Sequence, residues 1–262
     1  MSHIDIEQHL EHFLKRQQIV DPNVPNSKAR LLVAYSGGKD SSAMLEALYQ
    51  LKTKKFPNLE ITAAYYWAAW RPVEHDLEVI QQNCWKKKIR WVLMTPDLTI
   101  PKTEASARDD RYDQLSKLAL NLGAKAILTA HHLDDQVETI LFRLFRGSGL
   151  EGLKGVRESR QHIVNETAVT ILRPFLEVPA NELERYAKIQ KVNFAHDPTN
   201  DSTAYKRNYL RHEIIPKLDE AFPQFRNSLK RLIHQAESEL FLSKLAIDAR
   251  WEKLYDKENN SI

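Results

Sequence analysis

Between the apolar run Leu31-Leu32-Val33-Ala34-Tyr35 and a stretch with Met44, Leu45, Leu48 and Leu51 at helical spacing lies the turn Ser36-Gly37-Gly38-Lys39-Asp40-Ser41-Ser42. A strand that enters a helix through two glycines presents backbone N–H groups at a helix N-terminus, where unpaired donors and the helix dipole favour a phosphate. The glycines let a ligand approach the backbone, and the hydroxyls of Ser36, Ser41 and Ser42 add donors. The GxxxxGK[ST] spacing is absent, so this is not the Walker A arrangement. A plain serine-capped glycine turn is the competing reading, and the buried-type strand before the turn argues against it.

A second group with chemistry is His131-His132-Leu133-Asp134-Asp135, directly after the apolar run 126–130. In a parallel sheet it emerges at the same carboxyl edge as the glycine turn, so imidazoles and carboxylates face a bound nucleotide. Such groups serve as a general base or hold Mg²⁺ against phosphates. As a lone motif it would be a loop with an N-cap aspartate. Arg108 and Arg111, one helical turn apart, can point together at an anion, although a solvated helix face has the same pattern. Gly147-Ser148-Gly149-Leu150-Glu151-Gly152 matches GxGxxG but follows a helix, whereas the dinucleotide fingerprint requires a strand. It reads equally as backbone donors beside the first phosphate site or as a helix-ending turn. Asp197 and Asn200, in a rigid turn, precede the basic aromatic cluster Tyr205-Lys206-Arg207-Asn208-Tyr209-Leu210-Arg211, a mixture suited to RNA phosphates and unstacked bases.

The elements that must position these groups follow from hydrophobic period. Residues 31–35, 61–66, 91–94 and 126–130 read as strands; Leu77, Ile80 and Cys84 share one helical face, as do Tyr112, Leu115, Leu118, Ala119 and Leu122, closed by Gly123 as a left-handed cap. Val137, Ile140, Leu141, Leu144 and Phe145 form a stripe that stops at Gly147. Strands alternating with helices predict an α/β, mostly parallel sheet with helices on both faces. After Ile171-Leu172-Arg173-Pro174 the pattern turns helical, with Pro179 at a first helical position, Leu183, Tyr186 and Ala187 as a stripe, and one long helix from Pro223. No internal repeat or Gly/Ser linker is visible.

At 262 residues and 42% hydrophobic content the chain can bury a proper core. A formal charge of +3 permits a nucleic-acid partner without requiring one. The single cysteine, Cys84, excludes a disulfide framework and a cysteine-ligated cluster within this sequence, and fits a reduced compartment. The first residues carry no uninterrupted apolar region, so no signal peptide or membrane span is expected, and a cytoplasmic location follows.

Taken as an ordered set, the strand with SGGKDSS, then EASARDDRY (104–112), TAHHLDDQVET (129–139), RGSGLEGL (146–153), LRPFLEV (172–178) and DPTNDSTAYKRNYLR (197–211) resembles tRNA(Ile)-lysidine synthetases, within the PP-loop ATP pyrophosphatase superfamily. The resemblance implies a Rossmann-like, adenine nucleotide alpha hydrolase sheet followed by a helical C-terminal extension. It implies a PP-loop ATP-binding catalytic domain over residues 1–215 and a helical extension over 216–262, toward a tRNA-binding region. The implied reaction uses ATP and Mg²⁺ to adenylylate the C2 oxygen of the wobble cytidine in an isoleucine tRNA with a CAU anticodon; free L-lysine then displaces AMP. No membrane is involved, and a homodimer is one arrangement left open.

By resemblance, Asp40 binds nucleotide and Mg²⁺, with Ser36, Gly37, Gly38, Lys39, Ser41, Ser42 and the loop Gly147, Ser148, Gly149 around the phosphates. Arg108 and Arg111 steady phosphates or RNA. His131 or His132, with Asp135, deprotonates lysine, while Asp197, Asn200, Arg207, Asn208 and Arg211 hold substrate. One segment departs from the family: Tyr65-Tyr66-Trp67-Ala68-Ala69-Trp70-Arg71 stands where a His-Gly-containing segment is usual. Two alternatives are a tRNA thiolation enzyme, which the lone cysteine disfavours, and a non-catalytic nucleotide- or RNA-binding relative, which the retained Asp40, His131-to-Asp135 segment and Arg207 disfavour.

Overall fold

The computed structural model describes residues 3–20, 28–67, 73–97, 99, 103–195 and 206–254. By internal contacts the chain forms two compact units: residues 1–134 with 157–198, and residues 135–156 with 199–262. The segment 135–156 therefore groups with the later helices, a different cut from a single boundary after residue 215.

The first unit holds a six-stranded sheet in the order β3-β2-β1-β4-β6-β5. The strands are β1 (Ala29–Ala34), β2 (Leu59–Tyr66), β3 (Arg90–Met94), β4 (Ala126–Leu128), β5 (Ser159–Val164) and β6 (Thr167–Leu172). All neighbours run parallel except β5 and β6. The period-2 alternation of side chains sorts the central strands between two cores. Leu31, Val33, Ala126, Leu128 and Leu172 join the core built with helices α1 (Ile6–Arg16), α2 (Lys39–Lys54), α3 (Glu74–Lys86) and α7 (Ala180–Ile189). Leu32, Ile127 and Ile171 face the other way, onto Tyr112, Leu115 and Ala119 of α4 (Glu104–Leu122). Both faces are thus covered, as the sequence pattern predicts.

Two elements were invisible in that pattern. Helix α1 buries Ile6, Leu10, Phe13 and Leu14 at i, i+4, i+7 and i+8 and is capped by the Asp5 side chain, which accepts from the Gln8 N–H. The β5–β6 hairpin turns through Asn165 and Glu166, at φ 48° and 61°. Two positive φ values are the type I′ signature, usually written Asn-Gly. Glutamate in the second place hid it. Gly123 does close α4 in the left-handed conformation, at φ 61°.

The second unit contains most of α5 (Leu133–Phe145), the short α6 (Leu150–Leu153), α8 (Lys206–Tyr209), a π-helical turn (Leu210–Ile214), α9 (Ile215–Ala221) and the long α10 (Phe225–Leu254). Its core joins Val137 and Leu141 to Leu210 and Ile215. The expected α5 stripe is only partly buried: Leu144 and Phe145 are 46% and 65% exposed. Among the described residues, no helix is long and apolar enough to cross a membrane.

Candidate active site

Strand β1 ends at Ala34, and the chain turns through Ser36, Gly37 and Gly38 into α2. Gly37 sits at φ +76°, a conformation L side chains rarely adopt, which is why glycine stands there. Gly38 is the N-cap of α2 and supplies no side-chain cap. The first N–H groups of the helix are therefore left to a ligand or solvent.

The serines divide their work. Ser36 and Ser41 hydroxyls meet at 3.0 Å, and Ser41 Oγ also donates to the Gly38 carbonyl at 3.0 Å. The Ser42 hydroxyl points inward: it donates to the Gly37 carbonyl at 3.2 Å and lies 3.1 Å from the Tyr35 hydroxyl. Ser42 is 1% exposed, so it shapes the turn rather than offering a donor to a phosphate. Behind it, Asn83 of α3 donates to Tyr35 Oη at 2.8 Å and to the Asn193 carbonyl at 2.7 Å. The Ala195 N–H donates to the Gly37 carbonyl at 2.8 Å, so the turn is fixed from two sides. Burial first of all pushes the Tyr35 phenol up to about 12. It acts as a neutral hydrogen-bonding group.

Strand β4 lies beside β1 in parallel register, and its carboxyl end leads into His131 and His132. The structure treats the two histidines differently. His131 Nδ1 is 2.8 Å from Thr129 Oγ1. His132 is buried, with Nε2 3.4 Å from Asp40 Oδ2 and Nδ1 3.7 Å from Asp134 Oδ2. Asp134 in turn accepts from the Ala180 N–H at 2.9 Å, at the start of α7. His132 and Asp40 are thus brought together at the glycine turn.

Asp40 Oδ1 is buried and makes no hydrogen bond. An ionised carboxylate oxygen left in that condition is costly unless a cation or a donor on a ligand meets it. Among the described residues, no group of three or more His, Cys, Asp and Glu side chains could hold a metal ion. Mg²⁺ commonly takes one or two carboxylates and completes its shell with phosphate and water oxygens. Asp40 is the residue that would hold it.

Lys39 is turned toward α7. Its ammonium donates to Glu184 Oε2 at 3.0 Å, and Lys188 donates to Glu184 Oε1 at 2.7 Å. These two hydrogen bonds, Lys188 first, hold the Glu184 carboxyl down at about 2. Nothing in the sequence pattern marked Glu184, whereas Asp134 belonged to the histidine–aspartate group already singled out.

The remaining candidates are placed as follows. Arg108 is exposed and Arg111 half-buried, and both lie over the Tyr112 ring, at 5.9 and 5.4 Å from its centroid. In the departing segment, the Tyr65 hydroxyl donates to Asp76 and the Tyr66 hydroxyl to Asp110, each at 2.7 Å. Residues 68–72 lie outside the described structure, as do Asp197 and Asn200.

The second unit carries the others. Gly147 takes φ +77°, and its N–H and that of Ser148 bond back to Leu144 and Arg143, so the Gly147-Ser148-Gly149 segment is the end of α5. Arg143 donates to the Gly152 and Gly155 carbonyls, holding the rest of this loop. Arg207 lies over the Phe142 ring at 5.9 Å, and Asn208 follows it in α8. Arg211 is committed internally: it donates to both carboxylate oxygens of Glu138, at 2.5 and 3.0 Å, with Asp135 3.6 Å away. Glu138 is 1% exposed, and burial raises its carboxyl despite Arg211.

Residues 3–218 match the family model described as PP-loop domain. Similar curated relatives are the tRNA(Ile)-lysidine synthases of Edwardsiella ictaluri, 31% identical over 95% of this chain and 54% of the relative, and of Ralstonia nicotianae, 33% identical over 87% and 48%. That of Pseudomonas fluorescens is 34% identical over 82% and 48%. The chain spans about half the length of these relatives. Among solved structures, the U34-tRNA thiolase NcsA from Methanococcus maripaludis, with its [4Fe-4S] cluster, is similar in fold, with a TM-score of 0.66 at 18% identity over 91% of this chain and 84% of that one.

Proposed function

Because the chain belongs to the PP-loop domain family, we propose that it uses ATP to ligate lysine to C2 of the wobble cytidine of an isoleucine tRNA, giving lysidine. The observation that carries this reading is the pairing of Asp40 with His132 at one edge of the sheet, beneath a glycine turn whose helix N-terminus is uncapped. The similarity to tRNA(Ile)-lysidine synthases supports an isoleucine tRNA as the substrate.

In the first step the C2 oxygen of cytidine attacks the α-phosphorus of ATP and pyrophosphate leaves. The N–H groups at the start of α2 and the Ser36 hydroxyl bind the phosphates, Ser41 holds the turn through the Gly38 carbonyl, and Asp40 presents its unpartnered oxygen toward the phosphates. Bound Mg²⁺ supplies charge neutralisation at the phosphate oxygens. In the second step the lysine amine attacks C2, AMP departs with the oxygen, and the amine gives up a proton. His132 is the better placed acceptor of that proton, standing next to Asp40 with Asp134 behind it. Arg207, Asp197, Asn200 and Asn208 remain the residues assigned to substrate, and the loop 147–149 to phosphate. Arg211, already held by Glu138, orders its own unit in addition.

Sulfur delivery is disfavoured by a specific feature. The single cysteine, Cys84, is fully buried in α3, and burial pushes its thiol up to about 12, so it is not a nucleophilic thiolate. The test is to offer lysine or a sulfur donor with ATP and the tRNA, and to identify the nucleoside that forms.

A further inference from the structure

Beneath the glycine turn, buried polar groups run in a chain from α3 to the peptide at the mouth of the site. Asn83, Tyr35 and Ser42 are 3%, 1% and 1% exposed. The Asn83 amide nitrogen lies 2.8 Å from the Tyr35 hydroxyl and 2.7 Å from the Asn193 carbonyl. A carbonyl can only accept, so the NH₂ end of Asn83 faces both groups and donates one hydrogen to each.

The direction of the remaining bonds follows. The Tyr35 oxygen accepts from Asn83, and burial, which pushes the phenol up to about 12, keeps its own proton in place. That proton goes to Ser42 Oγ at 3.1 Å, and Ser42 donates to the Gly37 carbonyl at 3.2 Å. The Ala195 N–H donates to the same carbonyl at 2.8 Å. Two arms therefore leave Asn83 and meet again at Gly37. One runs through Tyr35 and Ser42, the other through the main chain from Asn193 to Ala195.

What this closed circuit fixes is a peptide plane. The Gly37–Gly38 peptide is trans, so the Gly37 C=O and the Gly38 N–H point in opposite directions. Glycine on both sides leaves such a peptide free to flip, and two donors on its carbonyl remove that freedom. With the carbonyl drawn inward, the Gly38 N–H is turned to the exposed side, 3.3 Å from Ser36 Oγ.

The second arm reaches toward the substrate residues. Residues 193–195 follow α7, Ala195 pairs with Gly38 in a parallel bridge, and the Asn193 side chain donates to Gln82 Oε1 of α3 at 3.3 Å. Asp197, two residues further along the chain and assigned above to substrate, lies outside the described structure. Buried polar groups are costly unless each is satisfied, and apolar side chains would fill the same volume without that cost. Here the bonds of the network end on the Gly37 carbonyl and on the segment that leads to Asp197.

We propose that Asn83 is a positioning residue that couples the nucleotide turn to the segment leading to Asp197. One amide group holds the Gly37 peptide ready for phosphate and anchors the start of that segment, so ATP on the turn orders both. That the segment serves lysine rests on the function proposed above, whereas the coupling does not.

The test uses the full chain, Asn83→Ala and Tyr35→Phe, which breaks only the arm through Ser42. Amide hydrogen exchange read by mass spectrometry follows peptides covering residues 190–200, with and without ATP and Mg²⁺. We expect ATP to slow exchange there in the parent chain and to lose that effect in Asn83→Ala. Without ATP, exchange of this segment should rise in Asn83→Ala and stay at the parent's rate in Tyr35→Phe. ATP affinity by calorimetry should fall about tenfold in both variants, the scale of one lost buried hydrogen bond. In turnover, the KM for lysine should rise in Asn83→Ala alone. A part in the fold only would lower the urea midpoints of both variants and leave ATP affinity at the parent's value, and that result overturns the proposal. So does exchange of the segment that ignores ATP in the parent chain. Should Asn83→Ala fail to fold, parental ATP affinity in Tyr35→Phe overturns it alone. No lysine enters the exchange or the calorimetry, so a failed coupling leaves the ligase reading untouched, and a failed ligase reading leaves the coupling untouched.

Discussion

Asp40 and His132 come from motifs ninety residues apart, and the parallel register of β1 with β4 brings them to 3.4 Å. Asp40→Ala is expected to abolish ATP-dependent tRNA modification by more than about a hundredfold, a scale typical of removing a group from the reacting site. Its fold should survive: the residue lies in the first turn of α2, where losing a negative charge costs roughly 0.3–1 kcal/mol. Pyrophosphate release and a urea melt measure the two. His132→Gln should slow turnover at least about tenfold more than His131→Gln, general acid–base groups contributing roughly 10²–10⁴. Equal losses would contradict the assignment. The sequence showed Asp40 and the histidine pair plainly, because a turn motif is local. It did not rank the histidines: the ranking depends on His131 lying against Thr129 and His132 standing beside Asp40, and both are facts of the folded chain.

At the level of elements, the glycine turn is a shaped object and its predictions concern stability as much as catalysis. Gly37→Ala should destabilise the protein by roughly 1–2 kcal/mol, since its φ of +76° is left-handed. The cost is in the backbone, because the nearest atom to an added Cβ, Ile80 Cγ1, lies at an ordinary 3.4 Å. Ser42→Ala should cost about 1 kcal/mol by removing a buried hydrogen bond to the Gly37 carbonyl. Both are read from urea midpoints. Lys39 and Glu184 tie α2 to α7, and here pH provides the test. Because the Glu184 carboxyl is lowered to about 2 from 4.5, its contribution is complete above the ordinary carboxylate range and is lost as pH falls toward 2. Glu184→Gln should flatten the acid limb of stability between those values, lowering stability at neutral pH and changing little below about pH 2. The strand–helix alternation made most of the sheet legible in advance. The β5–β6 hairpin was not, because Asn165-Glu166 lacks the glycine that usually announces its turn. Leu144 and Phe145 continued a helical stripe by spacing alone, yet α5 stops burying its face one turn earlier.

For the molecule as a whole, the two compact units share the motif set between them. The glycine turn, both histidines, Asp40, Arg108 and Arg111 belong to one unit; Arg207, Asn208, Arg211 and the loop 147–149 belong to the other. The sequence presented these motifs as one ordered series and gave no sign that residues 135–156 would join the later helices. The grouping follows from Val137 and Leu141 packing with Leu210 and Ile215, partners some seventy residues away. The lysine chemistry is the central claim, and it is tested by incubating an isoleucine tRNA bearing a CAU anticodon with the protein, ATP, Mg²⁺ and isotopically labelled lysine, then digesting the RNA and weighing its nucleosides. The account predicts one cytidine replaced by a labelled lysine adduct, with AMP and pyrophosphate released in equal amounts. Unmodified cytidine, or a sulfur-containing nucleoside when a sulfur donor is supplied in place of lysine, would contradict it.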